Sequence, residues 1–379
     1  MVYDTIVMAS NNMQSLAHFR MPLIKSLVAS SRHVHILAPM DAGALALAEE
    51  GCLCHDVDMS ARSMNPLREL WLTWQYIWLL WKIKPQAVLS YTIKPNIFLG
   101  LATRFLGIDL IAHVTGLGYM FMHESWKKNL ALALFKMAFR RARYVCFLNS
   151  ADRDMFLEAG VIHPSKAYIL PGEGIDTDHY KPQKPRAAYQ STFLLVARML
   201  KDKGVIEFCE AARTLKSEFP MVRCVLLGAF DMGNPSALQQ TDIQEWLDDE
   251  SVVYEGQSDD VRPWIAGSAC VVLPSYREGL PRVLLEAGAM AKPCIVSDVP
   301  GCQDVIKDQV NGLLCYARDA GSLAQAMTQF MRATQEEKNA WGKAAQERVI
   351  SDFHQHTVLR SYGQLLGFVP YELINEEVF

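Results

Sequence analysis

The sequence contains no uninterrupted apolar run near the ~18 residues needed to cross a bilayer, no low-complexity tract and no repeat at a fixed short period. A helical membrane span and a solenoid are therefore not expected. It has nine cysteines but no CxxC pair, which removes zinc ribbons and dithiol redox motifs from consideration. An odd cysteine count without a secretory signal fits reduced thiols and a cytoplasmic setting. The opening "MVYDTIVMASNN" carries Asp4 and turns polar by Ser10, so it reads as a first buried strand. A large excess of one charge is also missing. The net charge is −4, and no nucleic-acid partner is expected.

What is present is a globular chain of 379 residues, half hydrophobic and about a fifth charged, long enough for two domains. Short apolar runs alternate with helical patterns: "TIVMA", "HVHILA", "AVLS", "LIAHVT", "YVCFL" and "AYIL". That alternation predicts parallel strands with crossover helices. "HYKPQKPRAAYQ", 179–190, breaks it with two prolines and several charges and reads as a linker. The alternation resumes in "TFLLVA", "RCVLLGA", "VVY", "ACVVLP", "PCIVS" and "GLLCY". Two doubly wound α/β domains with a cleft between them follow, residues 1–183 and 184–354, with a final helix at about 355–379 expected to pack back onto the first. In such sheets ligands bind beyond the carboxyl ends of the strands.

Two polar clusters stand at strand ends of the second half. After "ACVVLP" comes "SYREGLP", with Glu278 in the loop, Pro281 suited to a first helical turn, and Glu286 roughly 8 Å further along the axis at ~1.5 Å per residue. That offset suits a sugar at Glu278 and a ribose at Glu286, bridged by a diphosphate. The competing reading is two glutamates that cap and solvate a helix start. After "TFLLVA", Arg198 and Lys203 precede Gly204. Cations at a helix N-terminus oppose the macrodipole, and a bound anion resolves the conflict.

These strings carry a resemblance. "LLVARMLKDKGV", "VVLPSYREGLPRVLLEAGAMAKPCIVSDVPGCQDVI" and "NGLLC" resemble the donor domain of family-4 retaining glycosyltransferases of the GT-B fold. "FRMPLIKSL", "SYTIKPNIFLGLATRFLGI", "HVTGLGYMF", "FLNSADRDMF" and "LPGEGIDTDHY" resemble bacterial enzymes that extend lipid-linked saccharides for capsule, O-antigen or protein glycosylation. The resemblance implies that Arg198 and Lys203 hold the donor diphosphate and that Glu278 faces the transferred sugar. It also implies that Gly279 and Leu280 offer backbone N–H groups and that Glu286 binds ribose. Thr115 stands where many relatives place a histidine. His113, two residues earlier, is then a donor contact, an acceptor-side residue or a core histidine. Lys94 and Asn96, with His113 and Thr115, are the candidates for the acceptor side.

The implied reaction moves a hexose or N-acetylhexosamine from a UDP-sugar to a polyprenyl-diphosphate-linked saccharide, with retention and without a metal or other cofactor. A metal-dependent alternative would use an Asp-x-Asp site. The three triplets present, Asp56-Val57-Asp58, Asp152-Arg153-Asp154 and Asp176-Thr177-Asp178, accompany no donor motif and read as structural. A sugar-nucleotide 2-epimerase, or a non-catalytic nucleotide-sugar-binding partner, is the alternative function.

Two features bear on a membrane. Trp71, Trp74, Trp78 and Trp81 fall on one helical stripe, which reads as core. The segment 125–145 mixes six basic residues with Leu130, Leu134, Met137 and Phe139, with Ser125 as a candidate N-cap. It fits either solvated charge or contact with an anionic bilayer. Residues 1–186 carry 20 Lys and Arg against 15 Asp and Glu, which favours the bilayer. The expected location is cytoplasmic, peripheral at the inner face of the cytoplasmic membrane.

Overall fold

A computed structural model describes residues 3–60, 65–117, 121, 126–183 and 191–374. The chain divides into two compact units: Met1–Gly174 with Gln355–Phe379, and Ile175–His354. The division falls at Gly174 rather than at 183.

The first unit is built on seven strands: β1 (Thr5–Ala9), β2 (His33–Ala38), β3 (Leu53–Asp56), β4 (Ala87–Tyr91), β5 (Asp109–Val114), β6 (Tyr144–Phe147) and β7 (Ala167–Ile169). They are parallel throughout, in the order β3-β2-β1-β4-β5-β6-β7. Alternation along β1 sends Val7 and Ala9 to one face and Ile6 and Met8 to the other, and both faces are covered. That is why these strands read as unbroken apolar runs. The Val7 side is covered by helices Pro66–Ile83, Gly100–Leu106, Trp126–Phe139 and Ser150–Glu158, through Leu72, Tyr76, Phe135 and Phe156. The Ile6 side is covered by Met13–Phe19, Met21–Ala29 and Gly43–Glu49. On that side the late helix Gln355–Leu366 buries Val358, Leu359, Tyr362, Leu365 and Leu366.

The second unit repeats the plan with β8 (Thr192–Val196), β9 (Arg223–Leu227), β10 (Val253–Tyr254), β11 (Cys270–Leu273), β12 (Cys294–Ser297) and β13 (Gly312–Cys315), in the order β10-β9-β8-β11-β12-β13. All pairings are parallel. Helices Val205–Glu218 and Ala320–Arg332 pack on the face carrying Phe193 and Val272. Helix Arg282–Ala289 and the end of Gln335–Phe353 pack on the face carrying Leu194 and Val271. The direction of strand addition reverses between β8 and β11, as it does between β1 and β4 in the first unit. At such a switch the helices on either side leave in opposite directions and open a crevice.

Two surface readings change. The tryptophan stripe is not core: Trp71, Trp74, Trp78 and Trp81 are half to two-thirds exposed, while Leu72, Tyr76, Leu79 and Leu80 of the same helix are buried. The 3-4 spacing marks a face but cannot say which apolar face turns inward. On helix Trp126–Phe139 the apolar set is split. Phe139 is buried and Leu134 half-buried, whereas Leu130 and Met137 are exposed beside Lys127, Lys136 and Arg140. Arg143 lies beyond the helix and pairs with Asp109 at 2.8 Å. Ser125 lies outside the described residues. Among the described residues no helix is long and apolar enough to cross a membrane, and all nine cysteines are free thiols.

Candidate functional site

The second unit gathers its charged groups at the switch point. Arg198 follows β8 and pairs with Asp231, beyond β9, at 2.8 Å. Its side chain is more than half exposed, so that pair is weak and readily exchanged for another anion. Lys203 closes the short 3₁₀ turn Lys201–Lys203, and Gly204 follows at φ +71°. A Cβ on Gly204 would lie 2.1 Å from the Pro274 carbonyl oxygen, so only glycine lets the turn after β8 meet the end of β11 backbone to backbone. One further bond holds the contact, and a second steadies the turn from the segment after β9. Tyr276 N donates to the Asp202 carbonyl at 2.9 Å, and Ser236 Oγ donates to Asp202 Oδ1 at 2.6 Å.

This contact brings Lys203 to Glu278. Lys203 Nζ donates to Glu278 Oε1 at 2.5 Å, and Ser275 Oγ donates to the same oxygen at 2.7 Å. Both charged side chains are largely buried. The Glu278 loop is seated from below by Gly301, at φ +84°, where a Cβ would come within 2.7 Å of the Glu278 and Gly279 carbonyl oxygens. Gly279 and Leu280, half-buried, lead into helix Arg282–Ala289. Pro281 is the N-cap residue of that helix, one position earlier than its first turn. Glu286 is buried on the helix and accepts from Arg282 Nε at 3.0 Å. Tyr180 stands beside this pair; burial, and next the Glu286 charge, push its phenol up to about 12.

The six donor-side residues read from the sequence therefore stand on the loops and helix starts at the carboxyl ends of β8 and β11. Ser275, Asp202, Tyr180 and Gly301 were missed. Ser275 lies three residues before Glu278 in the motif itself, but a serine in a loop carries no signal until its hydroxyl is seen to point at the carboxylate.

The first unit treats its candidates differently. Asn96 is buried, accepting from Ser90 Oγ at 2.6 Å and donating to the His113 carbonyl at 2.8 Å, so it ties β4 to β5. His113 is 2% exposed and stacks on Tyr91 with centroids 4.4 Å apart, which places its ring in the core. Burial, reinforced by Arg20, pulls it down to about 3, so the imidazole is neutral. Arg20 is itself buried, paired with Glu173 at 2.8 Å and lying over the Tyr91 ring. Lys94 donates to Glu69 at 2.5 Å and to the Ser60 carbonyl at 2.7 Å. Thr115 is half-buried just past β5. Lys94, Asn96 and Thr115 follow β4 or β5 while His113 lies within β5, and the four side chains do not converge on one point.

The Asp-x-Asp triplets have structural work. Asp56 accepts from Met40 N, Asp152 is buried at the start of Ser150–Glu158, and Asp176 accepts from the backbone N–H groups of Asp178 and His179. Asp176 belongs to the second unit, not the first. Among the described residues no group of three or more His, Cys, Asp or Glu side chains could hold a metal ion.

Comparison with known proteins bears on both units. Residues 176–348 match the family described as glycosyl transferases group 1, and residues 8–149 match glycosyl transferase 4-like. The chain is 28% identical over 355 residues, 89% of its length and 92% of the relative's, to N,N'-diacetylbacillosaminyl-diphospho-undecaprenol alpha-1,3-N-acetylgalactosaminyltransferase of Campylobacter jejuni. It is 24% identical over 295 residues, 73% of each protein, to UDP-Gal:alpha-D-GlcNAc-diphosphoundecaprenol alpha-1,3-galactosyltransferase of Escherichia coli. The fold matches that of Anabaena HepE, solved in complex with UDP, with a TM-score of 0.78 at 17% identity over 96% of this chain and 99% of that one. Two doubly wound units of this kind make up the GT-B fold. With a 4-like match in the first unit and a group 1 match in the second, the chain belongs to the glycosyltransferases.

Proposed function

We propose that the protein is a retaining glycosyltransferase that moves a hexose or N-acetylhexosamine from a UDP-sugar to a polyprenyl-diphosphate-linked saccharide. The observation that carries this reading is the 2.5 Å pair of Lys203 and Glu278 at the switch between β8 and β11. One cation and one carboxylate, held together in a partly buried site, suit a substrate with an anionic diphosphate next to a polyhydroxyl sugar. The two relatives named above support the acceptor class, since both names specify a saccharide on diphospho-undecaprenol. Both also specify an alpha linkage, and an alpha linkage made from an α-configured UDP-sugar is a retained one.

In this reading Arg198 and Lys203 take the diphosphate. Arg198 leaves Asp231 to do so, and the phosphate replaces the Asp231 carboxylate as its partner. Gly279 and Leu280 lie against the sugar and phosphate, and Glu286 accepts from the ribose hydroxyls. The bond from the anomeric carbon to the β-phosphate oxygen breaks while an acceptor hydroxyl bonds to the same face of that carbon. The acceptor proton passes to the departing phosphate oxygen. Positive charge grows on the sugar ring and negative charge on the diphosphate. Glu278 is placed to stabilise the first, and Arg198 and Lys203 the second. No metal or other cofactor is required, because the two cations supply the neutralising charge. Lys94 and Thr115 are assigned to the acceptor side of the first unit. The protein works at the inner face of the cytoplasmic membrane, where such an acceptor presents its diphosphate.

The test is coupled release of UDP. A panel of UDP-sugars is offered with and without a polyprenyl-diphosphate-linked saccharide. UDP release and a lengthened saccharide only when both are present support the reading. UDP released with no acceptor, together with an epimerised sugar, would identify a 2-epimerase. Nucleotide binding with no turnover on any pair would identify a non-catalytic partner.

A further inference from the structure

The helix Pro66–Ile83 is apolar on two opposite sides. At about 100° per residue, Leu72, Tyr76, Leu79 and Leu80 point to one side, and they are buried against the sheet. Leu67, Leu70, Trp71, Trp74, Trp78 and Trp81 fall within an arc of about 100° on the opposite side. These six are 76, 67, 51, 53, 47 and 65% exposed. They form one stripe about 21 Å long at ~1.5 Å per residue. An amphipathic surface helix should carry polar residues there. Nothing in folding the first unit calls for four exposed tryptophans in a row.

The occupant can be argued from charge and chemistry. The exposed cations Arg68 and Lys82 border the stripe, and Lys84 caps the helix end. Lys82 Nζ lies 5.3 Å from the Trp78 ring centroid. The helix's one acidic residue, Glu69, is occupied by Lys94. The helix packs against Gly100–Leu106, which packs against Trp126–Phe139. That neighbour adds exposed Trp126, Leu130 and Met137, with exposed Lys127, Lys136, Arg140 and Arg141. A wide apolar and aromatic surface whose border is mostly cationic among the described residues, with Asp58 the exposed acid beside Gln75, is complementary to an anionic bilayer. Tryptophan, with an apolar ring and one N–H, is suited to the headgroup boundary. A second copy of the chain would bring two cationic borders together. The helix also carries charge at both ends and is not apolar enough to span, so it lies in the plane of the surface.

We infer that the tryptophan stripe of Pro66–Ile83 is the bilayer-inserting surface of the protein, and that the basic residues between Lys127 and Arg141, on and just after helix Trp126–Phe139, supply a separate, salt-sensitive attraction. The inference rests on the proposed lipid-linked acceptor only for the reason a bilayer is visited. Insertion of the tryptophans resists salt, whereas attraction to anionic lipid is screened within a Debye length.

The test compares the parent, the quadruple variant W71Q/W74Q/W78Q/W81Q and the quadruple variant K127Q/K128Q/R140Q/R141Q. The probes are vesicles of phosphatidylcholine alone and of phosphatidylcholine with phosphatidylglycerol, at low and high salt. The tryptophan variant should lose about tenfold or more in partitioning onto both vesicle types, with the loss persisting in high salt. The basic variant should lose binding only to the anionic vesicles and only at low salt. Brominated phosphatidylcholine should quench the parent's fluorescence, a readout that needs no variant to fold. UDP binding should be the same in all three proteins. Unquenched fluorescence in vesicle-bound parent would overturn the inference. So would unchanged binding by the tryptophan variant, or a parent dimer that this variant dissociates while vesicle binding stays the same. A parent that inserts its tryptophans yet transfers no sugar would leave the inference standing and sink the functional reading instead.

Discussion

Acid should destabilise the first unit through His113. Its ring is stripped of water against Tyr91 and Tyr362, and Arg20 stands nearby as a fixed cation. Both effects oppose a second positive charge, and the pKa falls from 6.5 to about 3. The unfolded chain binds a proton near pH 6.5 while the folded chain refuses it. The neutral imidazole therefore contributes its stability above the unfolded pKa, and that contribution drains away as the pH falls below it, until the folded pKa is reached. Between pH 8 and pH 5 the loss is about 2 kcal/mol, from roughly 1.5 pH units below the unfolded pKa at ~1.36 kcal/mol each. A unit of about 200 residues moves roughly 2–4 °C per kcal/mol, so Tm should drop by about 4–8 °C on this account alone.

His113→Phe isolates the effect. The ring can keep its stack on Tyr91 but has nothing to protonate. Tm by calorimetry at pH 8, 6.5 and 5 should show a smaller acid decrement in the variant, by about 4–8 °C. His35 and His55 are also depressed, chiefly by burial, but both proteins contain them and they cancel. Equal acid decrements in parent and variant would refute the reasoning, and His113 would then be reached by water in the folded state.

How much of this was legible beforehand depends on how far apart the interacting residues lie. β1 is covered on both faces, so "TIVMA" announced itself as a strand. β3, "LCHD", is an edge strand with half-exposed residues, and no apolar run marked it. Glu278, Glu286, Arg198 and Lys203 were legible because each sits in a local motif at a strand end. The pairing of Lys203 with Glu278 was not. It depends on Gly204 meeting Pro274 and Gly301 meeting the Glu278 loop, approaches between segments far apart in sequence. The unit boundary was hidden in the same way. The prolines near 182 drew attention, but the first unit ends at Gly174, whose φ of +77° and close approach to Gln355 carry the chain out. The tryptophan stripe was visible as a stripe and misassigned as core, because periodicity is blind to which side faces the sheet. Tyr180 beside Glu286 left no trace in any spacing.

The remaining predictions concern the second unit. Glu286→Ala should weaken UDP binding by about tenfold, read by calorimetry, as expected when a hydrogen bond to a charged acceptor is lost; unchanged affinity would remove Glu286 from the ribose. Activity should survive dialysis against EDTA in full, and a loss restored by magnesium or manganese would bring the Asp-x-Asp triplets back. Gly301→Ala should lower both turnover and stability, because its Cβ meets two carbonyl oxygens at 2.7 Å with φ at +84°; parent-like turnover would show that the Glu278 loop tolerates displacement. Glu278→Gln is the sharpest. The amide is the same size and its oxygen can still accept from Lys203 and Ser275, so the loop should keep its shape. What is lost is the negative charge facing the sugar. Removing one preorganised group of this kind costs about 10²–10³ in turnover. Nucleotide affinity should hold or rise, since Lys203 is then held less tightly and remains free to meet the diphosphate. A transfer rate within about threefold of the parent, about 0.7 kcal/mol, would mean that Glu278 merely anchors Lys203 and that charge on the sugar is stabilised elsewhere.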